Sequence, residues 1–126
     1  MSKSAIVSPK LAPPVGPFSQ AIRTDGYVFF SGQVAQDPAT GKLVDGGVEA
    51  EATQLFKNLA AVLEAAGKSF SDVVRVGVFL TNMSDFARVN AIYAKHFSQP
   101  YPARTTIAAA ALPLGASIEI DMIAAA

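Results

Sequence analysis

Arg104 is the one charged side chain in QPYPARTTIAAA, residues 99–110, a run of Pro, Thr, Ile and Ala that otherwise reads as the approach to a buried strand. A guanidinium placed there can grip a carboxylate through two parallel hydrogen bonds, or it can simply shield a strand end; spacing alone does not choose. Further on, SIEIDMI alternates, so that Glu119 and Asp121 fall on one face of a strand and Ile118, Ile120 and Met122 on the other. A carboxylate in that position either pairs with a cation at a sheet edge or moves protons. Asn90 lies beside the apolar stripe of a candidate helix, where its amide is suited to bracing a loop. There is no cysteine and only one histidine, His96, which excludes disulfides, thiolate zinc sites, cysteine nucleophiles and a multi-histidine metal centre. Ser-His-Asp catalysis would need His96, which the helical pattern sets beside Phe97 on a helix flank as an ordinary boundary residue. GKLVDGG has neither the spacing nor the following residues of a phosphate-binding loop. What remains is chemistry built from Arg, carboxylate, amide, hydroxyl and backbone groups.

The elements that must position these groups follow from periodicity. In VEAEATQLFKNLAAVLEAA, Val48, Ala52, Leu55, Phe56, Leu59, Val62, Leu63 and Ala66 recur at helical steps of three and four; Gly67 ends the helix, and Glu49 and Glu51 sit in its first turn. A second helix, SDFARVNAIYAKHF, is capped by Ser84 or Asn82 and carries Phe86, Val89, Tyr93 and Phe97 on one stripe. GYVFFSGQVA, VVRVGVFL, ARTTIAAAAL and SIEIDMIA read as strands, with turns at Thr24-Asp25-Gly26, Asp37 to Gly41 and Leu112-Pro113-Leu114-Gly115. The expected order is β, β, short β, α, β, α, β, β, each helix crossing to a parallel neighbouring strand, so that both helices lie on one face of a mixed sheet. In VVRVGVFL one parity is Val74, Val76, Val78 and Leu80 and the other Val73, Arg75, Gly77 and Phe79, so both faces carry large apolar groups. An apolar sheet face without helices is best covered by a neighbouring copy in a symmetric oligomer. Composition agrees: 51% of residues are hydrophobic and only 16% charged, too little charge to coat a monomer generously. The length suits a single domain spanning 1–126. Ten basic residues balance ten acidic ones with no basic stripe, and no segment reads as a secretory leader or a membrane span, so the expected setting is cytoplasmic, without nucleic acid or membrane as partner.

The segments GPFSQAI (16–22), SGQVAQDPATGKLVDGG (31–47), the helix pair Gln54 and Asn58, VFLTNMSDF (78–86), VNAIY (89–93), YPARTT (101–106) and IEID (118–121) resemble the Rid family of reactive-intermediate deaminases, RidA type, also called YjgF. The similarity covers nearly the whole chain in order, and Pro-Ala-Arg-Thr with SGQ and an EIE-like segment at these distances is a specific signature. The resemblance implies an α+β, chorismate-mutase-like fold, a homotrimer and active sites in clefts between subunits. It implies hydrolysis of 2-imino acids such as 2-iminobutanoate and 2-iminopropanoate to 2-oxo acids and ammonia, with no metal or organic cofactor.

On that reading Arg104 clamps the substrate carboxylate and Glu119 serves water or proton transfer. Ser31 and Gly32 open an SGQ turn in the cleft wall, Gly32 allowing close backbone approach and Ser31 bonding a substrate oxygen. Asn90 lies near the site, and backbone groups at Thr106 meet the carboxylate or the imine nitrogen. Two positions depart from the family pattern: Phe18 stands where Tyr is usual, keeping an apolar wall but losing a hydroxyl, and Thr106 stands where Cys is frequent. The competing expectation is a non-catalytic trimer of the same fold that binds 2-oxo acids or acts as a chaperone or regulator. Neutral charge and a lone histidine speak against RNA cleavage.

Overall fold

The computed structural model describes residues 2–126. Among them one mixed sheet has six strands: β1 (Ser4–Ile6), β2 (Ala21–Thr24), β3 (Tyr27–Gln33), β4 (Val73–Leu80), β5 (Ala103–Ala108) and β6 (Ile118–Ala125). Helices α1 (Gly47–Ala65) and α2 (Phe86–Tyr93) complete the α+β fold. The strand order is β1-β2-β3-β6-β4-β5. Only β4 and β5 run parallel as neighbours; β6 lies antiparallel between β3 and β4. The crossover through α2 therefore joins adjacent parallel strands as expected, whereas the one through α1 joins parallel strands that β6 separates. The short third strand reduces to one bridge between Gln36 and Leu43, and β1 is an addition to the expected order.

Both helices cover one face. The stripe Val48, Ala52, Leu55, Phe56, Leu59, Val62 and Leu63 of α1 is buried against Val28 and Phe30 of β3, Val76, Val78 and Leu80 of β4 and Ile118, Ile120 and Met122 of β6. The end of α1 is a Schellman motif: Gly67, at φ 70°, donates to the Glu64 carbonyl, and the Lys68 N–H reaches the Leu63 carbonyl. Glu51 is turned inward to accept the Ser117 N–H at 2.8 Å, which fastens α1 to the start of β6, so Glu49 alone provides the exposed acidic charge of the first turn. Asn82, rather than Ser84, makes the cap before α2 by accepting the Ser84 N–H at 3.0 Å.

Two β-bulges change what alternation alone implies. Between Phe30 and Gln33 the pairing partners step only from Met122 to Ile120, so Ser31-Gly32 is a bulge inside β3 and not a turn. Between Val73 and Arg75 the partners step from Ala124 to Ile123, which puts Val73 in the core and leaves Val74 exposed, the reverse of the simple parity. The helix-free face still carries Phe29, Phe79, Ile107 and Ile123 around a concavity of about 420 Å³, with Arg75 donating to Thr105 Oγ1 at 2.9 Å. Among the described residues no helix is long and apolar enough to cross a membrane.

Candidate functional site

Glu119 faces away from the helices, because its neighbours Ile118 and Ile120 are buried beneath α1. Its carboxylate lies over Gly32 in the β3 bulge, where a Cβ would overlap Glu119 Oε2 and stand 3.0 Å from Cδ. Gly32 thus makes room for the carboxylate. The bulge is fastened to the preceding segment, since the Ser31 N–H donates to the Gln20 carbonyl at 3.0 Å and Ser31 Oγ to the Ser19 carbonyl at 2.6 Å. Asn58 donates to the Gln36 carbonyl at 2.9 Å and accepts from Gln54, so the motif pair on α1 braces the loop that follows. These contacts frame a cleft of about 430 Å³ that brings together Phe18, Ser31, Gly32 and Glu119. Its rim is apolar: Phe18 is 53% exposed and Leu114, held at φ 61°, is 58% exposed. Burial first, and then the nearby Asp121 charge, raise the Glu119 carboxyl above the usual carboxylate range.

Arg104 occupies the other side of the sheet. It is in register with the buried Val76, and Thr106 with Val78, so both point toward the helix-covered face at the edge strand β5. Its Nη1 donates to Asn90 Oδ1 at 2.8 Å, and its Cζ lies 4.7 Å from the Tyr93 ring centroid and 5.5 Å from that of Phe86. Tyr101 and Pro102 close a second hollow of about 330 Å³ around Asn90, Tyr93 and Arg104. Among the described residues, Tyr93 Oη and Thr106 Oγ1 are buried side-chain polar atoms with no hydrogen-bond partner. Burial raises the Tyr93 hydroxyl's affinity for its proton, with the Arg104 charge pulling the other way.

The candidate residues therefore form two groups, Phe18, Ser31, Gly32 and Glu119 in one cleft and Asn90, Arg104 and Thr106 at the opposite face. Within one chain the guanidinium and the carboxylate do not meet. Phe86 and Tyr93 share the expected stripe of α2, and Tyr93 does enter the core, but both rings also lie against Arg104, on either side of Asn90 in the helix spacing. Leu114 and Gln20, which line the first cleft, had no local signal beyond the turn and the GPFSQAI segment. His96 lies beyond the end of α2, stacked on Phe56 at 4.3 Å and 4°, a boundary position as expected. Among the described residues no group of three or more His, Asp or Glu side chains is gathered as a metal site would require.

Residues 9–126 match the family model described as Endoribonuclease L-PSP. Protein DfrA of Myxococcus xanthus is 47% identical over 126 residues, covering 98% of this chain and 96% of the relative. The 2-iminobutanoate/2-iminopropanoate deaminase of Mus musculus is 45% identical, covering 97% and 90%. The crystal structure of RidA from an Antarctic Psychrobacter superposes with a TM-score of 0.92 at 42% identity, covering 98% of this chain and 99% of that one. Sequence and fold agree along nearly the whole chain, which belongs to the Rid family of RidA/YjgF type.

Proposed function

We propose that the protein is a hydrolytic deaminase of small 2-imino acids, 2-iminobutanoate and 2-iminopropanoate among them, working as a homotrimer with its sites between subunits. The observation that carries this reading is the separation of Arg104 and Glu119 on opposite faces of one sheet. Each chain offers two incomplete halves, an anion-binding half at β5 and a carboxylate cleft at β6, and a cyclic assembly joins the first half of one copy to the second half of the next. The apolar helix-free face gives the copies a surface to bury. Relatives named as imine deaminases at 43–45% identity support the same chemistry. The Endoribonuclease description of the family model finds no matching basic surface pattern in a chain whose ten cationic and ten anionic residues are interspersed.

The chemistry follows from the groups in each half. Asn90 engages Nη1 of Arg104, and the remaining guanidinium donors take the substrate carboxylate. The carboxylate is bonded to the imine carbon, so gripping it fixes the carbon that water attacks. Glu119 of the facing copy removes a proton as water adds to the iminium carbon and returns it to nitrogen. The resulting N-protonated carbinolamine gives its hydroxyl proton to the Glu119 carboxylate as its C=O bond forms and its C–N bond breaks, releasing ammonia; one water is consumed per 2-oxo acid formed. A carboxyl whose proton affinity is raised suits this exchange near neutral pH.

The test couples a dehydratase that releases fresh 2-imino acid to a measurement of 2-oxo acid and ammonia, against the spontaneous rate. Acceleration in proportion to protein is expected, and Arg104→Lys should lose roughly tenfold to a hundredfold, because an ammonium cannot make the two-point grip. If 2-oxobutanoate binds but hydrolysis is never accelerated, the protein is a binding trimer and not an enzyme.

A further inference from the structure

Arg104 is held by three side chains of one helix, and none of them is acidic. Phe86, Asn90 and Tyr93 follow one another on α2 at steps of four and three, so they share a face. That face meets the guanidinium with a ring, an amide and a second ring. Among the described residues Arg104 makes no ion pair, whereas Arg88 on the same helix is paired with Asp85. An arginine serving only to tie β5 to α2 would gain most from a carboxylate. A neutral cradle fixes its direction while leaving its charge for an incoming anion.

The two rings are not equivalent. Phe86 is partly exposed, while Tyr93 is only 7% exposed and is packed against Phe97 at 4.5 Å and Phe56 at 6.1 Å between ring centroids. Tyr93 is a fixed platform, and it is the nearer of the two. Its hydroxyl lies within the influence of the guanidinium but makes no well-formed hydrogen bond to it, so the ring face, 4.7 Å from Cζ, is the main contact with Arg104. We propose that Tyr93 is a positioning residue for Arg104: its ring face sets the plane of the guanidinium, so that the donors not used by Asn90 point together at the substrate carboxylate. This rests on the deaminase reading for its catalytic consequence but not for its geometry.

The experiment uses Tyr93→Phe and Tyr93→Leu, with Tyr93→Met as a second replacement of flexible shape should the leucine variant not fold. Each is made in the full chain, alone and with Arg104→Lys. The readouts are KM and kcat on 2-iminobutanoate, the Kd for 2-oxobutanoate and the Arg104 Nε–H resonance by NMR. Tyr93→Phe should keep KM and Kd within about twofold of the parent, since the ring face remains. Tyr93→Leu or Met should raise both by about 2- to 30-fold, with kcat changed less. That loss should largely vanish beside Arg104→Lys, because a rounded ammonium has no plane to set. The Arg104 Nε–H signal should lie upfield in the parent and Tyr93→Phe and move downfield in Tyr93→Leu or Met. A Tyr93→Phe loss as large as that of leucine, an equal loss in both Arg104 backgrounds, or an Arg104 signal free of ring-current shift would each overturn the proposal. The resonance is readable even if no imine is hydrolysed, so failure of the deaminase reading and failure of the cradle are told apart.

Discussion

Gly32 and Gly77 both keep ordinary backbone angles, so neither is a glycine for conformational reasons. Each lies under a carboxylate of β6: a Cβ at Gly32 would overlap Glu119 Oε2, and one at Gly77 would overlap Asp121 Oδ1. The obstructing atoms at Gly32 are the far end of a flexible side chain, so an added methyl displaces Glu119 more readily than it disturbs the sheet. Gly32→Ala is therefore expected to change the melting temperature by only a few degrees, about 1 kcal/mol or less, while lowering imine hydrolysis about tenfold or more. Thermal denaturation and the coupled assay on the same preparation check this. An alanine variant with parental activity would remove Glu119's carboxylate position from the mechanism. At this scale the sequence carried much: Arg104 near the head of β5 and the outward parity of Glu119 were legible from local pattern, whereas the exposure of the Phe18 ring was not. The purpose of Gly32 was not legible either, because the atom it accommodates belongs to a strand eighty-odd residues away in the chain.

The helices show where local pattern suffices. The apolar stripe of α1 was readable residue by residue, since a helix face is defined by its own spacing. For α2 the same pattern located Phe86, Val89, Tyr93 and Phe97 but not their different surroundings, because Val89 and Phe97 enter the core, Tyr93 enters it while also meeting Arg104 of a neighbouring strand, and Phe86 only leans over Arg104. The bulges at Ser31-Gly32 and near Val74 escaped for a related reason: a register shift is a property of two strands, and alternation in one strand cannot reveal it. The turn after α2 supplies a test of its own. His96 stacks on Phe56 and lies 5.4 Å from Phe70, and burial first, then Lys95, lower its affinity for a proton. With the folded pKa below the unfolded value of about 6.5, the unfolded chain binds more protons in the interval between them. The stabilisation is complete above about pH 6.5 and is lost as pH falls through that interval. His96→Phe keeps an aromatic stack without a titrating group, so the melting temperature of the parent should fall more steeply than the variant's between about pH 7 and pH 5. Glu119, with its raised proton affinity, pulls in the opposite sense in both proteins and cancels in the comparison. Parallel slopes would mean that His96 titrates as it does in the unfolded chain.

At the scale of the whole molecule, an apolar helix-free face was expected from the sequence, and the sheet carries one around Phe29, Phe79, Ile107 and Ile123. What the sequence could not convey is that the two catalytic candidates lie on opposite faces, since that depends on the pairing of β4 with both β5 and β6. Sedimentation should find a trimer at micromolar concentration, but assembly alone would not show that Arg104 of one copy works with Glu119 of another. Mixed assemblies do. Arg104→Ala and Glu119→Gln chains, each inactive alone, are unfolded together and refolded, or co-expressed, in equal amounts. If every site takes Arg104 from one chain and Glu119 from its neighbour, a site is intact when the first chain carries the Glu119 change and the second the Arg104 change. Random assembly gives that arrangement in about one site in four, so the mixture should regain about a quarter of parental activity per site. If both groups served from within one chain, every site would retain one defect and the mixture would stay as inactive as its components. The same refolding applied to each variant alone controls for damage, and a double-variant chain mixed with the parent shows whether subunits exchange freely. Activity that stays at the background level in freely exchanging mixtures would rule out the shared site, because subunit geometry, not chemistry, is all that the mixing alters.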